Sequence, residues 1–135
     1  MAGLEKVNNA IRIPTSLKGN FFRIWVEFLA SLHKLTSREQ DVLAAFLKNR
    51  FELSESIKDE TLLDKYLMSE DVKSKIKAEC GVSDAFFQVI LGKLRKTGII
   101  MDGRINPYLI PKKLNKDDKF FTLLLLFELD AEDAK

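Results

Sequence analysis

Apolar residues recur at helical spacing in five segments of the chain, and a polar residue that favours helix starts precedes each of them. The predicted helices cover residues 21–33, 37–49, 60–66, 70–80 and 84–96. The residues expected to cap their N-termini are Asn20, Thr36, Asp59, Ser69 and Ser83. Thr36 and Glu39 have the spacing of a capping box, in which each side chain accepts a backbone N–H at the helix start.

Two segments carry more apolar surface than a half-exposed element needs. Residues 21–32 are apolar around most of the helix circumference, which predicts a helix that is central or shared with a partner. Residues 120–129 predict a β-strand that needs cover on both faces. One interpretation is oligomerisation or docking on a larger protein, and the other is a strand in the sheet of this chain, covered by the first helix. The strand's protein-contact candidates are Phe121, Leu123, Leu125 and Phe127.

A glycine turn and a hairpin follow the fourth helix. Gly81 is expected to take the left-handed conformation that ends a helix, and Gly98 to end the next one. Asp102-Gly103 favours a type I′ turn between short strands at 99–101 and 104–105. From Lys73 to Ile100, this order resembles the winged-helix superfamily. The prediction is an α+β, mainly helical winged helix-turn-helix, with an added N-terminal helix and a C-terminal β-strand.

The predicted organisation is a single domain between two short ends. Residues 1–19 form an N-terminal arm, in which residues 10–13 could pair as a short strand. Residues 20–129 form the winged-helix domain, with the helix-turn-helix at about 69–97, the wing at about 99–106 and the strand at 120–129. Residues 130–135 form an acidic tail.

The helix predicted at residues 84–96 has one apolar face and one mixed face. The side chains expected to pack inward are Phe87, Ile90, Leu91 and Leu94. In DNA-binding winged helices the N-terminal half of this helix enters the major groove. Here that half offers only Gln88 as a usual base reader, and Asp84 would repel phosphate. Phe86 and Val89 are therefore candidates for protein contact, unless another part of the chain covers them.

The net charge is +2, and it is unevenly distributed. Residues 72–119 carry 11 basic and 5 acidic side chains, net +6, while residues 120–135 carry 1 basic and 4 acidic, net −3. The basic region could contact phosphates, or oppositely charged parts of neighbouring copies could attract one another. The nucleic-acid-contact candidates are Gln88, Lys93, Arg95, Lys96, Arg104, Lys112 and Lys113.

Residues typical of catalytic or metal sites are sparse in this sequence. His33 and Cys80 are the only His and Cys, so they form no metal-ligand cluster and no internal disulfide. Phosphate loops, dinucleotide-binding turns and nucleophile elbows are also missing. We expect no enzymatic activity, no cofactor and no membrane partner. No secretory signal is recognised, and we expect synthesis in the cytoplasm.

Residues 21–127 resemble a family of small proteins of tailed bacteriophages, crAss-like phages among them. The motifs that carry the resemblance are Leu-Thr-Ser-Arg-Glu at 35–39, Phe-Gln-Val-Ile-Leu-Gly-Lys-Leu-Arg-Lys at 87–96, Ile-Asn-Pro at 105–107 and Ile-Pro at 110–111. Ile-Asn-Pro after the wing also resembles RepL-type replication proteins. The family resemblance implies no catalytic residues.

Two functions remain open for such a protein. The first is a phage virion or assembly component of the head, portal vertex or head–tail connector, with other phage proteins or its own copies as partners. That protein would be made in the host cytoplasm and end in the virion. The second is a winged-helix protein that binds double-stranded DNA, as a transcription regulator or replication accessory.

Overall fold

The fold is mainly helical, with five α-helices and a two-stranded antiparallel sheet in the part of the chain that the structure describes. The structure is a computed structural model, and it describes residues 8–129. The helices are α1 (Phe21–His33), α2 (Ser37–Leu53), α3 (Glu60–Leu67), α4 (Glu70–Cys80) and α5 (Asp84–Lys96). The strands are β1 (Ile100–Met101) and β2 (Arg104–Ile105), and a short 3₁₀ turn follows at Pro107–Leu109.

Four of the five helices begin with the predicted side-chain cap. The side chains of Thr36, Asp59, Ser69 and Ser83 each accept a backbone N–H from the first turn of α2, α3, α4 and α5. Thr36 and Glu39 form the complete capping box. The local sequence therefore determines where these helices start.

Asn20 precedes α1 as predicted, but its side chain is used differently. Its Oδ1 accepts hydrogen bonds from Thr15 Oγ1 at 2.8 Å and Ser16 N at 3.2 Å. Asn20 thus ties the preceding turn to the start of the helix. The short strand considered at residues 10–13 was wrong, because residues 8–16 have no regular secondary structure and Ile11 is 87% exposed.

The core is organised around α2, which packs against α1, α3, α4 and α5. Val42, Leu43, Phe46 and Leu47 of α2 are buried. The helix extends to Leu53, beyond the predicted end near Asn49, because Phe51 continues the apolar spacing. The Phe51 ring lies 5.7 Å from that of Phe22.

The segment from α4 to β2 has the local geometry expected from its glycines. Gly81 ends α4 with φ 63°, and Gly98 follows α5 with φ 79°. Arg38 of α2 donates to the Cys80 carbonyl at 2.6 Å, which holds the turn against α2. Asp102 and Gly103 both have positive φ, 55° and 73°, as a type I′ turn requires.

The C-terminal β-strand predicted at residues 120–129 was wrong. Residues 120–128 have no regular secondary structure, and the β1–β2 hairpin is the only sheet within residues 8–129. A strand forms through hydrogen bonds to a neighbouring strand, and no described part of this chain pairs with the segment. Its apolar alternation alone cannot supply that partner.

The ends of the predicted domain organisation lie partly outside the described residues. Residues 1–7 of the N-terminal arm and the acidic tail at 130–135 are not described. Within residues 8–129, no helix is long and apolar enough to cross a membrane.

Candidate protein-contact surface

α5 separates its side chains into a buried face and an exposed face, as the sequence predicts. Phe87, Ile90, Leu91 and Leu94 are all buried, each at most 1% exposed. Gly81 ends α4 in the left-handed conformation, and Ser83 caps the start of α5. Because one face is held in the core, the opposite face must point outward.

Two apolar residues lie exposed on that outer side. Phe86 is 42% exposed and Val89 is 66% exposed. They are three positions apart, so their side chains are neighbours on the helix surface. No part of residues 8–129 buries them, which argues against the interpretation that the chain covers its own α5. We call Phe86 and Val89 the α5 patch.

An exposed carboxylate, that of Asp84, lies at the N-terminal end of α5. Lys77 of α4 donates to Asp84 Oδ1 at 2.8 Å. This hydrogen bond and the charge of Lys77 lower the pKa of Asp84. The Asp84 side chain nevertheless remains 88% exposed. If this end of α5 approached DNA, the exposed carboxylate of Asp84 would come close to the phosphates and be repelled by them.

The predicted nucleic-acid contacts fall into two groups. Lys93 Nζ lies 3.4 Å from Glu39 Oε1, and Arg104 Nη1 lies 4.0 Å from Asp64 Oδ2, so both cations have acidic neighbours. The other predicted contacts are exposed, and within residues 8–129 their cations lie in no ion pair. They are Gln88, Arg95, Lys96, Lys112 and Lys113.

The basic residues do not all lie on one element. Arg95 lines a groove of about 390 Å³ together with Lys73 of α4 and the hairpin residues Met101, Asp102 and Gly103. Lys112 lies over the ring of Tyr108, 5.5 Å from its centre. Lys73 could not be recognised as part of this groove from the sequence, because its position beside the hairpin depends on the tertiary fold.

Within the C-terminal segment, residues 120–129, Phe121 packs against the hydrophobic core. The Phe121 ring lies 5.6 Å from the rings of both Phe21 and Trp25, in edge-to-face geometry. The remaining apolar residues are exposed, from 43% at Leu123 and 58% at Leu125 to 85% at Phe127. The sequence left two alternatives for this segment, contact with another protein or cover by α1. Of the four protein-contact candidates in the segment, Phe121 is the one that lies against α1.

Gly92 is a further feature of the outer side of α5. It lies in the interior of the helix and is exposed, and a Cβ added to it would meet nothing within 4 Å. Glycine destabilises a helix relative to alanine, yet no close packing within the described chain requires it here. Its position in a helical pattern was visible in the sequence, but the open space around it was not.

Comparisons with known proteins identify no relative of this chain. No protein family model, no curated protein and no solved structure matches it. The interpretation of the surface therefore depends on its own geometry and charge.

Proposed function

We propose that this protein is a non-enzymatic assembly component that uses a winged helix-turn-helix to bind other proteins. In this proposal, α4 and α5 form the helix-turn-helix and the β1–β2 hairpin forms the wing. The left-handed Gly81 turn, the Ser83 cap and the positive φ angles in the hairpin support the assignment.

The α5 patch carries the functional proposal. Phe86 and Val89 lie on the helix that would face DNA in a winged-helix regulator, and both are exposed. DNA-contacting surfaces are rich in positive and polar groups, whereas exposed apolar side chains are typical of the centre of a protein interface. Asp84, at the N-terminal end of the same helix, also disfavours a close approach to phosphate.

The resemblance to proteins of tailed bacteriophages gives the proposed biological setting. The protein would be made in the host cytoplasm and incorporated into the head, portal vertex or head–tail connector. The exposed C-terminal segment would supply a second contact surface.

DNA binding is the second candidate function. It is favoured by the exposed side chains of Gln88, Arg95, Lys96, Lys112 and Lys113. In this case the cations would contact the phosphate backbone, and binding would weaken steeply as salt increases.

Titration of the protein with a labelled DNA duplex at several salt concentrations separates the two functions. For a protein-contact module we expect no binding stronger than about 100 µM at physiological salt, the weak end of nonspecific affinity. Micromolar, salt-dependent binding that is lost in a Lys96→Glu, Lys113→Glu double variant would favour the DNA-binding function instead. Arg12→Glu combined with Lys18→Glu is the charge-matched control, since both residues are exposed and distant in sequence from the basic region.

A second measurement addresses the apolar surface and the proposed setting. Val89→Asp should reduce incorporation of the protein into phage particles, measured by mass spectrometry of purified particles. Leu62→Asp on α3 is the matched control, because Leu62 is 56% exposed and lies on a different helix. Equal incorporation of the two variants would argue against a role of the α5 patch in assembly.

A further inference from the structure

We propose that copies of this chain associate head to tail, with the C-terminal segment of one copy covering the α5 patch of the next. The inference rests on the proposed protein-contact function and names the partner of its surface. It combines two surfaces of one chain that match each other in polarity and in charge.

The apolar parts of the two surfaces are both uncovered within residues 8–129. The α5 patch exposes Phe86 and Val89, and the C-terminal segment exposes Leu126 at 73%, Phe127 at 85% and Leu129 at 83%. A single exposed leucine on a protein surface is ordinary, but a run of this kind is not. Bringing the two surfaces together removes both from water.

The charges beside the two apolar surfaces are opposite. Lys96 follows Val89 by two helical turns, so it borders the α5 patch on the same side of α5, whereas Lys93, one turn away, is paired with Glu39. The C-terminal segment contains Glu128 and continues in the sequence with Asp130, Glu132 and Asp133. Attraction between these groups would favour one orientation of the segment on α5.

Gly92 leaves space beside α5 for an approaching segment of a second copy. It lies between Val89 and Lys96 on the outer side of α5, and nothing in the described chain occupies the space where a Cβ would lie. A backbone approaching α5 at this point meets no side chain. An incoming extended segment can therefore come closer to the helix here than at its neighbours.

The arrangement of the chain favours a second copy over the chain's own tail. The segment leaves the fold where Phe121 contacts Phe21 and Trp25 on α1. The described part of the segment runs to residue 129 and leaves the α5 patch exposed. Each copy thus keeps one free surface of each kind, and the proposed head-to-tail contact builds rings or filaments.

Sedimentation velocity of the full-length protein over a wide concentration range tests the association. We expect species larger than the monomer that increase with concentration. Val89→Asp and Phe127→Asp should each weaken association by about tenfold or more, since each places a charge in the apolar contact. Both substituted residues are exposed, so the fold should persist, and circular dichroism checks that it does.

A mixture of the Val89→Asp and Phe127→Asp variants gives the decisive result. Each retains the surface that the other has lost, so the mixture should form a one-to-one complex of twice the monomer mass. Lys96→Glu should also weaken association, and Asp130→Lys with Asp133→Lys in the same chain should restore it. Leu62→Asp should leave association unchanged.

Three results would overturn the inference. They are a monomeric wild-type chain at all concentrations, a mixture that does not associate, and loss of association in only one of the two apolar variants. A monomeric wild-type chain would leave the protein-contact function standing with a different protein as partner. Duplex binding lost through Lys96→Glu and Lys113→Glu would overturn that function itself.

Discussion

The indole Nε1 of Trp25 donates a hydrogen bond to the Leu109 carbonyl at 2.8 Å, joining α1 to the chain that follows the hairpin. The two residues are 84 positions apart, and both are buried. Because the carbonyl is shielded from water, removing its hydrogen-bond donor lowers the stability of the fold.

We expect Trp25→Phe to lower the free energy of unfolding by about 1–3 kcal/mol through the unsatisfied carbonyl and the smaller ring. Urea denaturation followed by circular dichroism measures the change. Tyr108→Phe is the control, since Tyr108 is 83% exposed and should tolerate the loss of its hydroxyl. Equal stability of Trp25→Phe and the wild type would show that the hydrogen bond contributes nothing.

Asp64 and Arg50 form the most buried ion pair among the described residues. Arg50 Nε lies 2.9 Å from Asp64 Oδ1, and the two side chains are 13% and 11% exposed. Removing one partner leaves the other charge with little access to water. Asp64→Ala should therefore destabilise the fold by about 3 kcal/mol.

A double-mutant cycle tests whether this cost comes from an isolated charge. Asp64→Leu combined with Arg50→Met should be more stable than Asp64→Leu alone. Arg104→Met is the control, because Arg104 is 50% exposed and 4.0 Å from Asp64, and it should change stability by less than about 0.5 kcal/mol. Strictly additive single effects would contradict the argument.

We expect Phe121 to be the last residue of the C-terminal segment that contributes substantially to stability. A chain ending at Thr122 keeps the edge-to-face contacts with Phe21 and Trp25 and should unfold at the wild-type denaturant midpoint, measured at concentrations where the wild type is monomeric. A chain ending at Lys119 loses them and should be about 2 kcal/mol less stable. If the two truncations were equally destabilised, residues 123–135 would contribute to the fold as well.

The helices were predictable from the sequence because their start signals are local. Thr36, Asp59, Ser69 and Ser83 each bond to a backbone N–H within three residues. The buried and exposed sides of α5 followed from its 3.6-residue period. Such information does not depend on how the rest of the chain folds.

What the sequence did not predict depends on distant partners. The prediction of a C-terminal strand was wrong because strand pairing requires a neighbouring strand, which the local pattern of apolar residues does not specify. Lys93 was predicted as a nucleic-acid contact, and the sequence did not show that Glu39, 54 positions away, lies 3.4 Å from its ammonium group. The same limit applies to the groove between Lys73 and the hairpin.

The thiol of Cys80 should react slowly in the folded protein. Burial, followed by the negative charges of Asp41 and Glu79, raises the pKa of Cys80 above its ordinary value of 9.0, although Arg38 opposes the shift. A raised thiol pKa favours the fold below pH 9.0, and this contribution is lost as pH rises through the folded pKa. Iodoacetamide should therefore alkylate the native thiol half-maximally only above pH 9.0.

Two comparisons check the origin of this slow reaction. The unfolded chain in denaturant should react with the ordinary pH dependence of a cysteine. Glu79→Gln should move the native profile toward lower pH, because it removes one of the negative charges that raise the pKa. A native profile centred below pH 9.0 would contradict the expected shift.

Gly92→Ala should separate folding from association in a single substitution. Gly92 is exposed in the interior of α5, and an added Cβ has no neighbour within 4 Å. Alanine should therefore stabilise the monomer by about 0.5–1 kcal/mol, through its higher helix propensity.

The same methyl group would occupy the space through which a second copy approaches α5, so self-association should weaken while stability rises. Urea denaturation of the dilute, monomeric protein measures stability, and sedimentation velocity at higher concentration measures self-association. Ala85→Gly on the same exposed side is the reverse control, and it should lower stability. Stronger association of Gly92→Ala would show that the open space beside Val89 is not part of a contact.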